Sequence, residues 1–133
     1  MITTPHPNSI ELLSQVLANQ EMLEFAVLVG SQAEGTQHAN SDWDIALCWK
    51  HQLNGLPRLA QEERLRQTLA QELNVTTENI DLIDLPRSNL AMRANAAEQG
   101  KVLKGEDTMA WSRFLTRTWR ELEDFYWECT HAA

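Results

Sequence analysis

The chain reads as an α+β domain, a small mixed β-sheet packed with helices. Three observations carry that expectation. Short runs at 25–29, 42–49 and 80–85 have the length and apolar, β-branched or aromatic content of strands. Longer stretches between and after them place leucines and aromatics three and four residues apart, the period of a helix with one buried face. The 133 residues, 43% of them apolar, suffice for one modest core and one domain.

Each element follows from local chemistry. Pro5 and Pro7 mark an extended lead-in. Asn8 followed by Glu11 forms a capping box, and Ile10, Leu13, Val16 and Leu17 make one apolar face, so 9–19 reads as the first helix. The unbroken run 25–29 has the mark of a central strand and stops at Gly30. Small and polar residues across 31–40, Gly35 among them, predict a short helical turn and a loop. In strand 42–49, Trp43, Ile45, Leu47 and Trp49 share one face, while Asp42, Asp44, Ala46 and Cys48 share the other. Pro57 suits a first helical turn, and Leu65, Leu69 and Leu73 recur every four residues, giving a helix over 57–73. Strand 80–85 ends at Pro86. Ser88 is expected to cap a helix over 89–99, which Gly100 would stop. In the last helix, 108–128, Trp111, Leu115, Trp119, Leu122 and Tyr126 trace one stripe that Phe114 and Phe125 widen. The expected order is α-β-β-α-β-α-α. A core helix explains that stripe, with an exposed aromatic patch as the alternative.

Composition narrows the function. A net charge of −8 disfavours sequence-independent nucleic-acid binding, which needs a basic face. Cys48 and Cys129 stand far apart with no CxxC pair, so neither a zinc site nor a disulfide framework is indicated. The N-terminus lacks a basic region followed by an apolar stretch, and no segment approaches the length of a membrane-spanning helix; a cytoplasmic protein is the expectation.

Asp42 and Asp44 carry the chemistry. Separated by one residue on a strand, they point to one side, where their charges repel. A divalent cation relieves that repulsion, and Mg²⁺ takes hard oxygen ligands. Gly30-Ser31, just after an apolar strand, presents backbone N–H groups and a hydroxyl to a phosphate. The two devices together point to metal-dependent chemistry on a nucleoside triphosphate. A third acid belongs on strand 80–85. Asp81 and Asp84 have opposite parity, so one of them can join the pair; Asp81, at the strand's start, is favoured, and the other would be an edge or capping residue. His38 and His51 lack metal-ligand spacing, and Trp43 faces the core.

The run GSQAEGTQHANSDWDIAL resembles the minimal nucleotidyltransferase family, small relatives of DNA polymerase β. That family's Gly-Ser, ten residues, Asp-x-Asp pattern is matched by Gly30, Ser31, Asp42 and Asp44. IDLIDLP is similar to its third-acid strand, which supports Asp81, and EQGKVLKGED is similar to a later segment. The resemblance implies a polymerase β-like fold with residues 1–133 as a single minimal nucleotidyltransferase domain. Within the family the chain resembles MntA-type antitoxins, which pair with a HEPN-domain ribonuclease toxin, HepT. The implied activity is transfer of AMP from ATP to a tyrosine of that toxin. The implied cofactor is Mg²⁺, held by Asp42, Asp44 and Asp81, with Gly30 and Ser31 binding the nucleotide and the toxin as hetero-oligomeric partner. Glu34 stands where the family often has arginine; Arg87 or Lys101 are the candidate substitutes. The competing expectations are an antitoxin that acts by binding alone, and a transferase acting on a small molecule or an RNA end.

Overall fold

In the computed structural model, residues 8–34 and 42–132 are described, without the side chains of Asn8, Ser31 and Glu34. The Asn8 cap, Gly35, His38 and the loop between α2 and β2 therefore lie outside the description. The elements run α1 (Asn8–Ala18), β1 (Leu23–Val29), α2 (Ser31–Glu34), β2 (Trp43–Trp49), α3 (Gly55–Leu73), β3 (Ile80–Asp84), α4 (Leu90–Gln99), β4 (Lys101–Lys104) and α5 (Met109–His131). The sheet has the order β3-β2-β1-β4. β1 is antiparallel to both β2 and β4, and β2 is parallel to β3, so the sheet is mixed as expected.

The β1–β2 pair is the centre of the domain because both of its faces are apolar. A register shift between Leu23 and Phe25 reverses the alternation of β1. Beyond it, Ala26 and Leu28 join Trp43, Ile45, Leu47 and Trp49 on one face, under Leu13 and Leu17 of α1 and Leu65 and Leu69 of α3. Phe25, Val27, Val29 and Ala46 form the other face, under Ala96 of α4 and Trp111 and Phe114 of α5. Phe25 is the hub of this second core: its ring centroid lies 5.0 Å from Trp111, edge-on, and 5.4 Å from Phe114. Truncating Phe25 to alanine would cost about 3–5 kcal/mol.

Three local features differ from expectation, and the expected stop at Gly100 is met through close packing. Asn89, not Ser88, caps α4: its side chain accepts from the Met92 N–H at 2.9 Å, while Ser88 Oγ donates to Asp84 O. β3 ends at Asp84, and residues 85–87 form a single 3₁₀ turn around Pro86. Gly100 does stop α4, but with negative φ; a Cβ there would collide with Val27 Cγ1 and Ala96 O, so close approach requires the glycine. β4 was not anticipated. It offers only Val102 and Leu103 between two lysines, too short a pattern to read, and such charged, short strands suit a sheet edge.

Thr108 caps α5, accepting from the Trp111 N–H at 3.2 Å, and the helix runs past 128 to His131. At 23 residues it is about 35 Å long. The aromatic stripe divides along it. Trp111, Phe114 and Thr118 are buried, whereas Phe125, Tyr126 and Trp127 are exposed by half or more. Both readings of the stripe hold, each for one half of the helix. Among the described residues, no helix is long and apolar enough to cross a membrane.

Candidate active site

The candidate site lies where β1 ends and β2 and β3 begin. Gly30 turns the chain out of β1 with φ of +76°, a conformation that disfavours side chains. It has a second reason to be glycine. An added Cβ would meet Asp44 Oδ2 at 2.5 Å, so the carboxylate occupies the space a side chain would need. The β1–β2 register, Val29 opposite Asp44, produces that approach. Ser31 follows as the first residue of α2, and the Ala33 N–H donates to Gly30 O at 3.1 Å, closing the turn.

The parallel β2–β3 register places Asp81 directly across from Asp44 and Asp84 across from Leu47. Partners in register share a face. Asp81 therefore stands with Asp44, on the side opposite to Leu47, and Asp84 stands on the α3 side. There Asp84 Oδ2 meets Arg58 Nη1 at 3.5 Å and Arg87 Nε at 3.6 Å. Among the described residues no lysine or arginine forms an ion pair with Asp44. Its carboxyl is pushed above the usual carboxylate range, first by burial, then by the negative charges of Asp81 and Asp42. Asp42, just before β2, accepts a hydrogen bond from Asn79 Nδ2 at 3.2 Å, and Asn79 in turn accepts from Thr76 Oγ1 at 2.7 Å. Asn79 was not singled out in the sequence; nothing in the local pattern sets it apart from other turn residues.

The three carboxylates share one electrostatic field, but among the described residues no group of three or more His, Cys, Asp or Glu is gathered tightly enough to hold a metal ion. The donors are all hard carboxylate oxygens, which suit Mg²⁺ rather than a thiolate- or imidazole-loving metal. The carboxyl of Asp44 is raised first by burial and then by its two acidic neighbours, and a bound cation would favour its charged form. The basic residues expected near phosphate separate. Lys101 pairs with Leu28 at the Gly30 end of the sheet, whereas Arg87 follows β3 at the opposite end and is bound to Asp84. His51 is exposed in a turn after β2. A cavity of about 490 Å³ opens between α3 and residues 74–77 and contains none of the candidate acids.

A mixed sheet here delivers a glycine turn and acids from neighbouring strands to one end, and the chain belongs to the polymerase β nucleotidyltransferase family, which matches residues 11–109. It is a minimal member related to the MntA proteins. Its sequence is 33% identical over 98 residues to the protein adenylyltransferase MntA of Shewanella oneidensis, covering 74% of this chain and 66% of that protein. Its fold is similar to a chain in a crystal structure of a toxin–antitoxin with AMP-PNP, with 30% identity, a TM-score of 0.67 and 90% of each chain covered. A chain in the crystal structure of the toxin–antitoxin MntA-HepT is similar too, at 25% identity and a TM-score of 0.63, with 92% of each covered.

Proposed function

We propose that this protein is an antitoxin that transfers AMP from ATP to a tyrosine hydroxyl of a HEPN-family toxin and so neutralises it. The observation that carries the reading is the cross-strand pair Asp44–Asp81 beside the Gly30 turn, an acidic site where, among the described residues, neither carboxylate is in an ion pair. Family membership supports a nucleotidyltransferase, the MntA relative supports adenylyl transfer, and the toxin–antitoxin neighbours support the partner.

In this reading Asp42, Asp44 and Asp81 would hold two Mg²⁺ ions, Asp81 serving the second, and the ions would supply charge to offset the triphosphate and to lower the pKa of the acceptor hydroxyl. The acceptor oxygen attacks the α-phosphorus. The bond from that phosphorus to the oxygen bridging to the β-phosphate breaks in line, and pyrophosphate leaves. Asp81 accepts the phenolic proton. The Gly30 N–H and Ser31 hold the outer phosphates, where charge accumulates as the leaving group departs. Asn79 keeps Asp42 oriented through its 3.2 Å hydrogen bond. The chain contributes positioning and electrostatics rather than covalent catalysis.

The test is mass spectrometry of a HEPN toxin after incubation with this protein, ATP and Mg²⁺. The reading predicts tyrosine-borne adenylyl adducts with wild-type protein and none with Asp44→Asn. Neutralisation without any adduct would establish the binding-only antitoxin instead. Adducts on RNA ends or small molecules, with the toxin unmodified, would establish a different acceptor.

A further inference from the structure

We propose that the overhanging half of α5 is a docking surface for a separate protein whose apolar face is rimmed with lysine or arginine. The apolar stripe of the helix does not stop where the domain stops. Trp111, Phe114 and Thr118 lie buried against the sheet and α4, and the same side continues at helical spacing through Leu122, Phe125 and Cys129. Phe125 is 50% exposed, and its neighbours Tyr126 and Trp127 are each 61% exposed. Phe125 and Tyr126, with ring centroids 5.8 Å apart, prolong the core face into solvent, and an exposed aromatic surface of this kind is what a partner covers, whereas Trp127 stacks on His131 on another side of the helix.

The overhang is held in place before any partner arrives. Arg93 of α4, 5% exposed, donates to both carboxylate oxygens of Glu121 at 2.8 and 3.2 Å, and its Nε donates to Ser88 O at 3.1 Å. Arg117 adds a contact to Glu121 at 3.0 Å. A two-pronged pair, anchored on the buried Arg93 and open to solvent on the Glu121 side, fixes the direction of the projecting turns where α5 leaves the domain, which lowers the ordering cost of association.

Charge selects the occupant. Past Glu121, whose charge Arg93 and Arg117 already meet, the sequence places Glu123, Asp124 and Glu128 among the aromatics and no lysine or arginine. A second copy would bring the same acids against themselves, in a chain of net charge −8. A basic-rimmed apolar surface is complementary, and its cations can also lie on the faces of Trp119 and Tyr126. This rests on the proposed function for the partner's identity, which would be the acceptor protein itself.

Cys129 gives the readout. It is exposed on the same stripe, whereas the Cys48 thiol is pushed up to about 11 by burial and stays unreactive near neutrality. Alkylation therefore reports on the docking face. Two amphipathic helical peptides with one leucine stripe serve as probes, one flanked by lysine and one by glutamate. The lysine peptide should slow Cys129 alkylation, and Phe125→Asp should weaken that protection about tenfold. Reversing Glu123, Asp124 and Glu128 to lysine should transfer protection to the glutamate peptide. Asp44→Asn should keep protection while losing transfer, so a failure of transfer with protection intact counts against the proposed function alone. Protection unaffected by Phe125→Asp, or equal from both peptides, would overturn the docking surface. Cys129 protection that grows with the protein's own concentration would assign the face to a second copy and overturn it equally.

Discussion

Carboxylates at the two ends of the sheet live in opposite surroundings. At the end where β2 and β3 finish, Asp84 is met by Arg58 and Arg87, and beyond it Glu121 is gripped by Arg93 and Arg117. Hydrogen bonding from Arg93, with the charges of Arg93 and Arg117, holds the Glu121 carboxyl below its ordinary range. At the end where those strands begin, Asp44 faces Asp81 across the sheet with Asp42 beside it, and its carboxyl is held above the ordinary range. The first group has what a structural acid needs. The second holds like charges together without such partners, and that arrangement is why we propose it as the ligand site.

The largest effect expected from breaking this contrast is on activity. Asp44→Asn or Asp81→Asn should lower adenylyl transfer by about two orders of magnitude or more, measured as initial rate with saturating ATP and Mg²⁺. Asp84→Asn should leave the rate within a fewfold, because its side chain serves Arg58 and Arg87. Equal losses at Asp81 and Asp84 would erase the distinction between the two faces of β3.

Stability should respond in the reverse sense. Arg93→Ala removes a buried guanidinium that ties α4 to α5 and should cost about 1–3 kcal/mol in denaturant unfolding. Asp44→Asn removes a repulsion and should raise the melting temperature by roughly 1–3 °C in chelator. Mg²⁺ with a triphosphate should raise the wild-type melting temperature and leave that of Asp44→Asn unchanged.

The smallest effect is in the pH profile, and its sign differs between the ends. The Glu121 carboxyl is lowered on folding, so its contribution to stability is complete above the ordinary carboxylate pKa and disappears as pH falls through the lowered folded value. The Asp44 carboxyl is raised, so its cost is present near neutrality and is relieved as pH falls through the raised value. The advantage of Asp44→Asn should therefore shrink on acidification before the disadvantage of Glu121→Gln does. The melting temperatures of the two variants and wild type, followed from neutral pH downward, check that order.

Much of this layout is legible in the residues because its signals are local. Two-residue alternation assigned Trp43, Ile45, Leu47 and Trp49 to one face and Asp44 to the other, and the structure keeps both assignments. Opposite parity separated Asp81 from Asp84, and the register puts them on opposite faces. What escaped depends on distant partners. β4 is a strand because β1 offers it an edge, not because two apolar residues between lysines demand it. Asn79 matters through Asp42, thirty-seven residues earlier. The stripe of α5 has one period throughout, so periodicity alone cannot say where the domain stops covering it. Gly30 is readable as a turn residue, but its contact with Asp44 arises only when β1 and β2 pair.

The central claim is that Asp42, Asp44 and Asp81 form a cation-dependent nucleotide site. Calorimetric titration of the protein with a non-hydrolysable ATP analogue, with and without Mg²⁺, addresses it most directly. The account predicts saturable binding that needs Mg²⁺ and weakens at least about tenfold in Asp44→Asn. Binding of equal strength in wild type and Asp44→Asn, or binding indifferent to Mg²⁺, would contradict it.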